Sequence, residues 1–179
     1  MTRPSVAQLE GHLRPGQVLL VQRHGVVSRA IRKVTKSEWS HVALLAESMD
    51  VWILIESTTR WNAVAAVKLE TTLYDPSVTA LLFRDRSDLL EGERRRIVQA
   101  AWLQTGDAYD QGINADILWQ RITGWQGILN RTRAKNCAEM VARAYLLGWG
   151  GSIINRQAPP TPESFAQTTK LTDVLRLDF

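Results

Sequence analysis

Trp39-Ser40-His41-Val42-Ala43-Leu44-Leu45-Ala46-Glu47-Ser48-Met49-Asp50-Val51-Trp52-Ile53-Leu54-Ile55-Glu56-Ser57 is the stretch on which the reading of this chain turns. Two apolar runs, Val42 to Ala46 and Val51 to Ile55, flank the polar Glu47-Ser48-Met49-Asp50. Short apolar runs bounded by turn residues read as the two strands of a hairpin. His41 opens the first strand and Glu56 closes the second. With the chain reversing over residues 47–50, the antiparallel mate of His41 falls at Glu56. A carboxylate beside an imidazole selects its tautomer and stabilises the imidazolium. Each residue alone has a bland explanation, a satisfied structural histidine and a charge ending an apolar strand. Their shared register makes them a pair.

Working outward, Arg14-Pro15-Gly16 leads into a strand over Gln17 to Gln22, and Ser28 can cap a short helix from Arg29 to Val34. Ala63 to Leu69 and Val78 to Phe83 read as further strands, divided by Tyr74-Asp75-Pro76, because proline cannot donate to a ladder. The pattern then changes to helical: Leu89 to Gln104, Ile113 to Ile122, and Cys137 to Leu147, the last ended by Gly148 to Gly151. Thr161-Pro162 supplies a cap and first-turn proline for a short helix, and Leu171 to Leu177 closes as an edge strand. Strands first and helices later predict an α+β fold rather than alternating βαβ units.

Cys137 is the single cysteine among 179 residues, which excludes an intrachain disulfide and a cysteine zinc cluster. A lone cysteine is often a small buried hydrophobe. This one falls at the start of a helix, after Lys135-Asn136, where dipole and cation favour a thiolate. An imidazole is the usual base for such a nucleophile, since its pKa lies near working pH. His12 and His24 lack a comparable setting.

Apolar residues at 45% and charged residues at 22% predict a folded, soluble chain, and the length predicts a single domain over residues 1–179. The net charge of +4 is mild. Its densest spot, Glu93-Arg94-Arg95-Arg96, reads as the solvated face of a helix, so no specific nucleic-acid partner is expected. No apolar run approaches membrane-spanning length and the N-terminus lacks a signal-peptide core. The cytoplasm is the default compartment, with signal-independent export left open. The sequence gives no oligomeric state.

Taken in order, these motifs resemble those of the NlpC superfamily of permuted papain-like cysteine amidases. Arg14-Pro15-Gly16-Gln17-Val18-Leu19-Leu20 resembles its opening turn and strand, Trp39 to Leu45 its histidine strand, and Ile55-Glu56-Ser57 its acid-bearing strand. Ala108-Tyr109-Asp110 resembles its tyrosine motif and Asn136-Cys137-Ala138-Glu139-Met140-Val141 its nucleophile helix. Pro162-Glu163-Ser164-Phe165 is similar to a helix of the YiiX-like branch.

The resemblance implies a circularly permuted papain-like fold. In it, an antiparallel sheet or small barrel from the N-terminal half packs against helices that include the nucleophile helix. It further implies Cys137 as nucleophile, His41 as base and Glu56 as orienting residue. Tyr109 would line the site near the oxyanion position, and Ser40 is grouped with it as a substrate-binding or oxyanion residue. The reaction implied is cleavage of an amide or peptide bond through an acyl-enzyme, with no metal or organic cofactor.

Gln17 stands where the family frequently has Asp. Asn136-Cys137 also resembles the lecithin:retinol acyltransferase-like motif, so acyl transfer or thioester cleavage on the same site is a second reading. Such relatives tend to carry a second histidine where Glu56 stands, which favours the amidase. Seven Trp, among them Trp119, Trp125 and Trp149, are the residues that could supply the apolar patch a lipid enzyme needs. A binding module with a silent triad is the third reading. Cell-wall peptides, other small amides and lipids all stay open as substrates.

Overall fold

A strand buried on both faces has to be apolar along its whole length, whereas one face in water gives alternation. The computed structural model, which describes residues 3–58, 60, 62–108, 136–155 and 159–179, has a six-stranded sheet at its centre whose four inner strands are of the first kind and whose two edge strands are partly exposed. Its strands are β1 (Val18–Arg23), β2 (His41–Ser48), β3 (Val51–Thr58), β4 (Ala63–Lys68), β5 (Val78–Asp85) and β6 (Thr172–Asp178). They lie in the order β4-β3-β2-β1-β5-β6, and every neighbouring pair is antiparallel. Among the described residues β4 and β6 end the series, so there the sheet form of the sequence expectation is the one observed.

Leu20, Val42, Leu44 and Ile55 point to one face, where α4 (Glu91–Trp102), α5 (Cys137–Trp149) and Phe165 of α6 (Pro162–Gln167) cover them. Leu19, Val21, Leu45 and Leu54 point to the other, beneath Leu9 of α1 (Val6–Leu9) and Leu69 and Leu73 of α3 (Leu69–Leu73). Each face is an apolar layer, and burial of this kind contributes roughly 25 cal/mol per Å². α2 (Val26–Thr35) belongs to neither layer.

α4 and α5 approach closely at one point. A Cβ on Gly148 would lie 2.4 Å from the Ile97 Cα, so this helix pair requires a residue with no side chain there. Arg96 Nε donates to the Gly148 carbonyl beside it. The tyrosine of α5 anchors the opening turn: Tyr145 Oη donates to the Gly16 carbonyl at 2.6 Å. Arg94 holds the same turn through Pro15 O and forms a bidentate pair with Asp85 at 2.8 and 2.9 Å.

Several sequence expectations need correction. The hairpin turns over two residues, not four: Met49 and Asp50 both adopt positive φ, as a tight primed turn requires, and Ser48 pairs with Val51. α2 starts before Ser28, with Gly25 (φ 127°) at its N-cap. α5 runs through Gly148 and stops at Gly150, which takes the left-handed conformation. Arg94 is buried against Asp85 rather than solvated; Arg95 keeps the exposed position, paired with Glu91. α1, the 3-10 turn Glu10–His12 and α3 had no clear sequence signal. The helix expected over Ile113 to Ile122 lies outside the described residues.

Candidate functional site

Local backbone chemistry places the thiol. Asn136 is the N-cap of α5: its side chain accepts from the Glu139 N–H at 2.8 Å, and Glu139 Oε2 accepts the Asn136 N–H at 3.3 Å. This reciprocal box fixes the start of the helix and makes Cys137 its first residue. The backbone N–H groups of a first turn have no partner within the helix. Cys137 therefore carries its sulfur, buried from solvent, at the positive end of the helix.

The hairpin brings up the base and the acid. The observed register pairs Leu44 with Ile55, so extending it sets Ala43, not His41, opposite Glu56. The expected mate was thus two residues out. A slip of two keeps the face, because side chains alternate with period two. Glu56 accordingly sits diagonally from His41, within reach of a long side chain. His41 Nε2 and Glu56 Oε2 are 2.7 Å apart, with the glutamate buried and the histidine nearly so. The Cys137 sulfur lies close enough to the imidazole for each group to shift the other's proton affinity. With Nε2 engaged by the carboxylate, Nδ1 is the nitrogen left for that contact.

Electrostatics follow from this packing. Burial disfavours the imidazolium, yet Cys137 and Glu56 together outweigh it and raise the His41 pKa from 6.5 to about 10. Burial pushes the Cys137 thiol up. Attraction to His41, the hydrogen bond between them and a bond from the Val42 backbone N–H bring it below its usual 9.0, against opposition from Glu56. Burial likewise raises Glu56, but His41, then Arg23 and Arg60, hold it below the ordinary carboxylate range. All three directions favour a thiolate–imidazolium pair with a carboxylate behind it.

The structure thus brings together Cys137, His41 and Glu56. Ser40 lies next to them, buried, with its hydroxyl donating to Val21 O at 3.2 Å and accepting from the Arg23 N–H at 3.1 Å. Its side chain ties the turn before β2 to the end of β1. Tyr109 and Lys135 lie outside the described residues, as do Trp119 and Trp125. Trp149 packs on the core with the Arg86 guanidinium 4.0 Å from its ring centroid. Sequence reasoning missed the Val42 N–H, since any residue type supplies one, and Arg23, whose place beside Glu56 depends on strand order. Gln17 is buried and bridges the Arg14 N–H and His12 O, a structural role that explains why an amide serves there.

Among the described residues no group of three or more His, Cys, Asp or Glu side chains is placed to hold a metal ion. No described helix is long and apolar enough to cross a membrane.

No family model matches the sequence, and no curated protein does. Among solved structures, the crystal structure of the metalloprotein YiiX from Escherichia coli O157:H7 is similar, with a TM-score of 0.70 and 14% sequence identity over 94% of this chain and 99% of that one. At that identity the likeness is one of fold.

Proposed function

We propose that the chain is a cysteine hydrolase of amide or peptide bonds, a single catalytic domain with a papain-like site in permuted order. The observation that carries this reading is a helix-start thiol beside an imidazole whose Nε2 meets a buried carboxylate at 2.7 Å. A structural cysteine needs none of these partners.

In the first step the Cys137 thiolate attacks the amide carbonyl carbon and the carbonyl oxygen takes the negative charge. The Cys137 backbone N–H, at the first turn of α5, is the donor offered to that oxyanion; one such donor is typically worth about 10²–10³ in rate. His41 Nδ1 gives its proton to the leaving nitrogen as the C–N bond breaks, which leaves a thioester and a neutral imidazole. His41 then takes a proton from water, the oxygen adds to the thioester, and the thiolate departs as the carboxylate product forms. Glu56 holds the imidazole in the correct tautomer throughout. Ser40 acts by positioning, since its hydroxyl is spent on β1.

YiiX is a metalloprotein. The donors here do not fit an ion: His41 Nε2 is engaged by Glu56, its other nitrogen faces the sulfur, and no third ligand joins them among the described residues. No step is routed through a metal.

The test is the pH dependence of Cys137 alkylation by iodoacetamide, with Cys137→Ala as the blank. The native protein should titrate well below about 8.5, the free-thiol value. His41→Ala should raise the midpoint to that value or above it, because burial and Glu56 then act on the thiol without the imidazolium. A native midpoint at or above the free-thiol value ends the enzyme reading.

A further inference from the structure

α2 differs from the other helices in how little of it the fold uses. From His24 to Ser37 the chain carries Arg29, Arg32, Lys33 and Lys36 and no acidic residue. Along the helix Val26, Val27, Ala30, Ile31 and Val34 recur at i, i+1, i+4, i+5 and i+8, which gathers them on one side, and the cations occupy the other. A helix so divided ordinarily turns its apolar side to the core. This one does not. Thr35 is its only buried residue, Val26 and Val27 are 75% and 67% exposed, and among the described residues neither apolar layer includes any α2 side chain.

Exposed valines beside unopposed cations are the two halves of an interfacial helix: the apolar residues enter the headgroup boundary while the cations meet anionic headgroups. A polyanion such as nucleic acid would use the cations and leave the valines in water. We propose that α2 docks this protein on an anionic lipid surface. The placement is specific: α2 begins three residues beyond Arg23, whose N–H bonds the Ser40 hydroxyl, and β1 pairs Val21 with His41. Docking through α2 therefore sets the strand end that carries His41 beside the bilayer. The proposal stands apart from the chemistry at Cys137 and survives if that residue proves inert. A ten-residue helix with so few apolar side chains binds reversibly, and salt weakens it.

Co-sedimentation of the whole protein with vesicles tests it, using phosphatidylglycerol mixed into phosphatidylcholine against phosphatidylcholine alone. Binding should require the anionic lipid and weaken as salt rises. Arg29→Glu with Lys33→Glu should weaken it by at least about 30-fold. Val26→Asp with Val27→Asp should weaken it by about tenfold or more. Both pairs of changes fall at exposed positions, and an unchanged circular dichroism spectrum and Cys137 alkylation profile check that the fold survives. Three outcomes overturn the proposal: no binding to either vesicle, equal binding to both, or full binding by both folded variants. Retention on an oligonucleotide without binding to vesicles also overturns it, in favour of a polyanionic macromolecule.

Discussion

Two buried ion pairs, Asp85–Arg94 and Glu56–His41, lie in the same fold and have opposite characters. Arg94 gives both nitrogens to Asp85 and donates further to Pro15 O and Arg86 O. Its charge is permanent and its fork is filled, so it fastens β5, α4 and the opening turn. His41 spends one nitrogen on Glu56 and turns the other to a sulfur. Its charge is conditional, and under the proposed function its contact with the sulfur is the one exchanged for a bond to substrate. A fully satisfied permanent charge holds a fold together. A titratable group with one partner that can leave is suited to proton transfer.

Cys137→Ala should lower turnover of any amide the protein cleaves by about 10⁶ while leaving its melting temperature within a few degrees, measured by calorimetry and product assay. Asp85→Ala should do the reverse. An uncompensated buried guanidinium costs about 3–5 kcal/mol in urea denaturation, and the alkylation profile of whatever remains folded should keep its midpoint. If Asp85→Ala shifted that midpoint as His41→Ala does, the division into structural and chemical pairs would be wrong.

Glu56→Gln keeps the shape and removes the charge. Turnover should fall by about 10², less than for Cys137→Ala, because nucleophile and helix donors survive. NMR titration supplies the sign. The imidazolium contributes stability that is complete below 6.5 and is lost as pH rises through about 10. Without the Glu56 charge that upper limit moves down. Glu56 itself contributes stability that is present above its ordinary 4.5 and is lost as pH falls through its lower native value. An unmoved His41 titration in Glu56→Gln would reduce Glu56 to a buried spacer.

The smallest effect is the control. Arg95→Ala removes an exposed i, i+4 partner of Glu91 and should change stability by no more than about 0.5 kcal/mol.

Much of this was legible in the sequence for a physical reason: the inner strands are buried on both faces and so read as unbroken apolar runs, as Val42 to Ala46 does. Cys137 to Leu147 read as a helix from its apolar spacing, whereas the capping box of Asn136 and Glu139 that starts it, written three residues apart, went unread. What could not be read depends on long-range geometry. Met49 is a poor sign of a positive φ, so the two-residue turn was missed, yet the pairing of faces held because the error was even. Burial of Arg94 depends on where β5 ends, and the bond from the Val42 N–H depends on where α5 docks, neither of which a residue type encodes.

The tight hairpin over Met49 and Asp50 also sets an order of events in time. His41 and Glu56 lie fifteen positions apart and meet through a local turn, whereas Cys137 reaches them only after α5 has packed across the sheet. Local contacts form early and distant ones late. A chain emerging from the ribosome therefore carries an ordinary thiol, protonated at neutral pH and slow to react. Under the proposed function, the sulfur gains the partners that would activate it only when α5 has docked on the sheet.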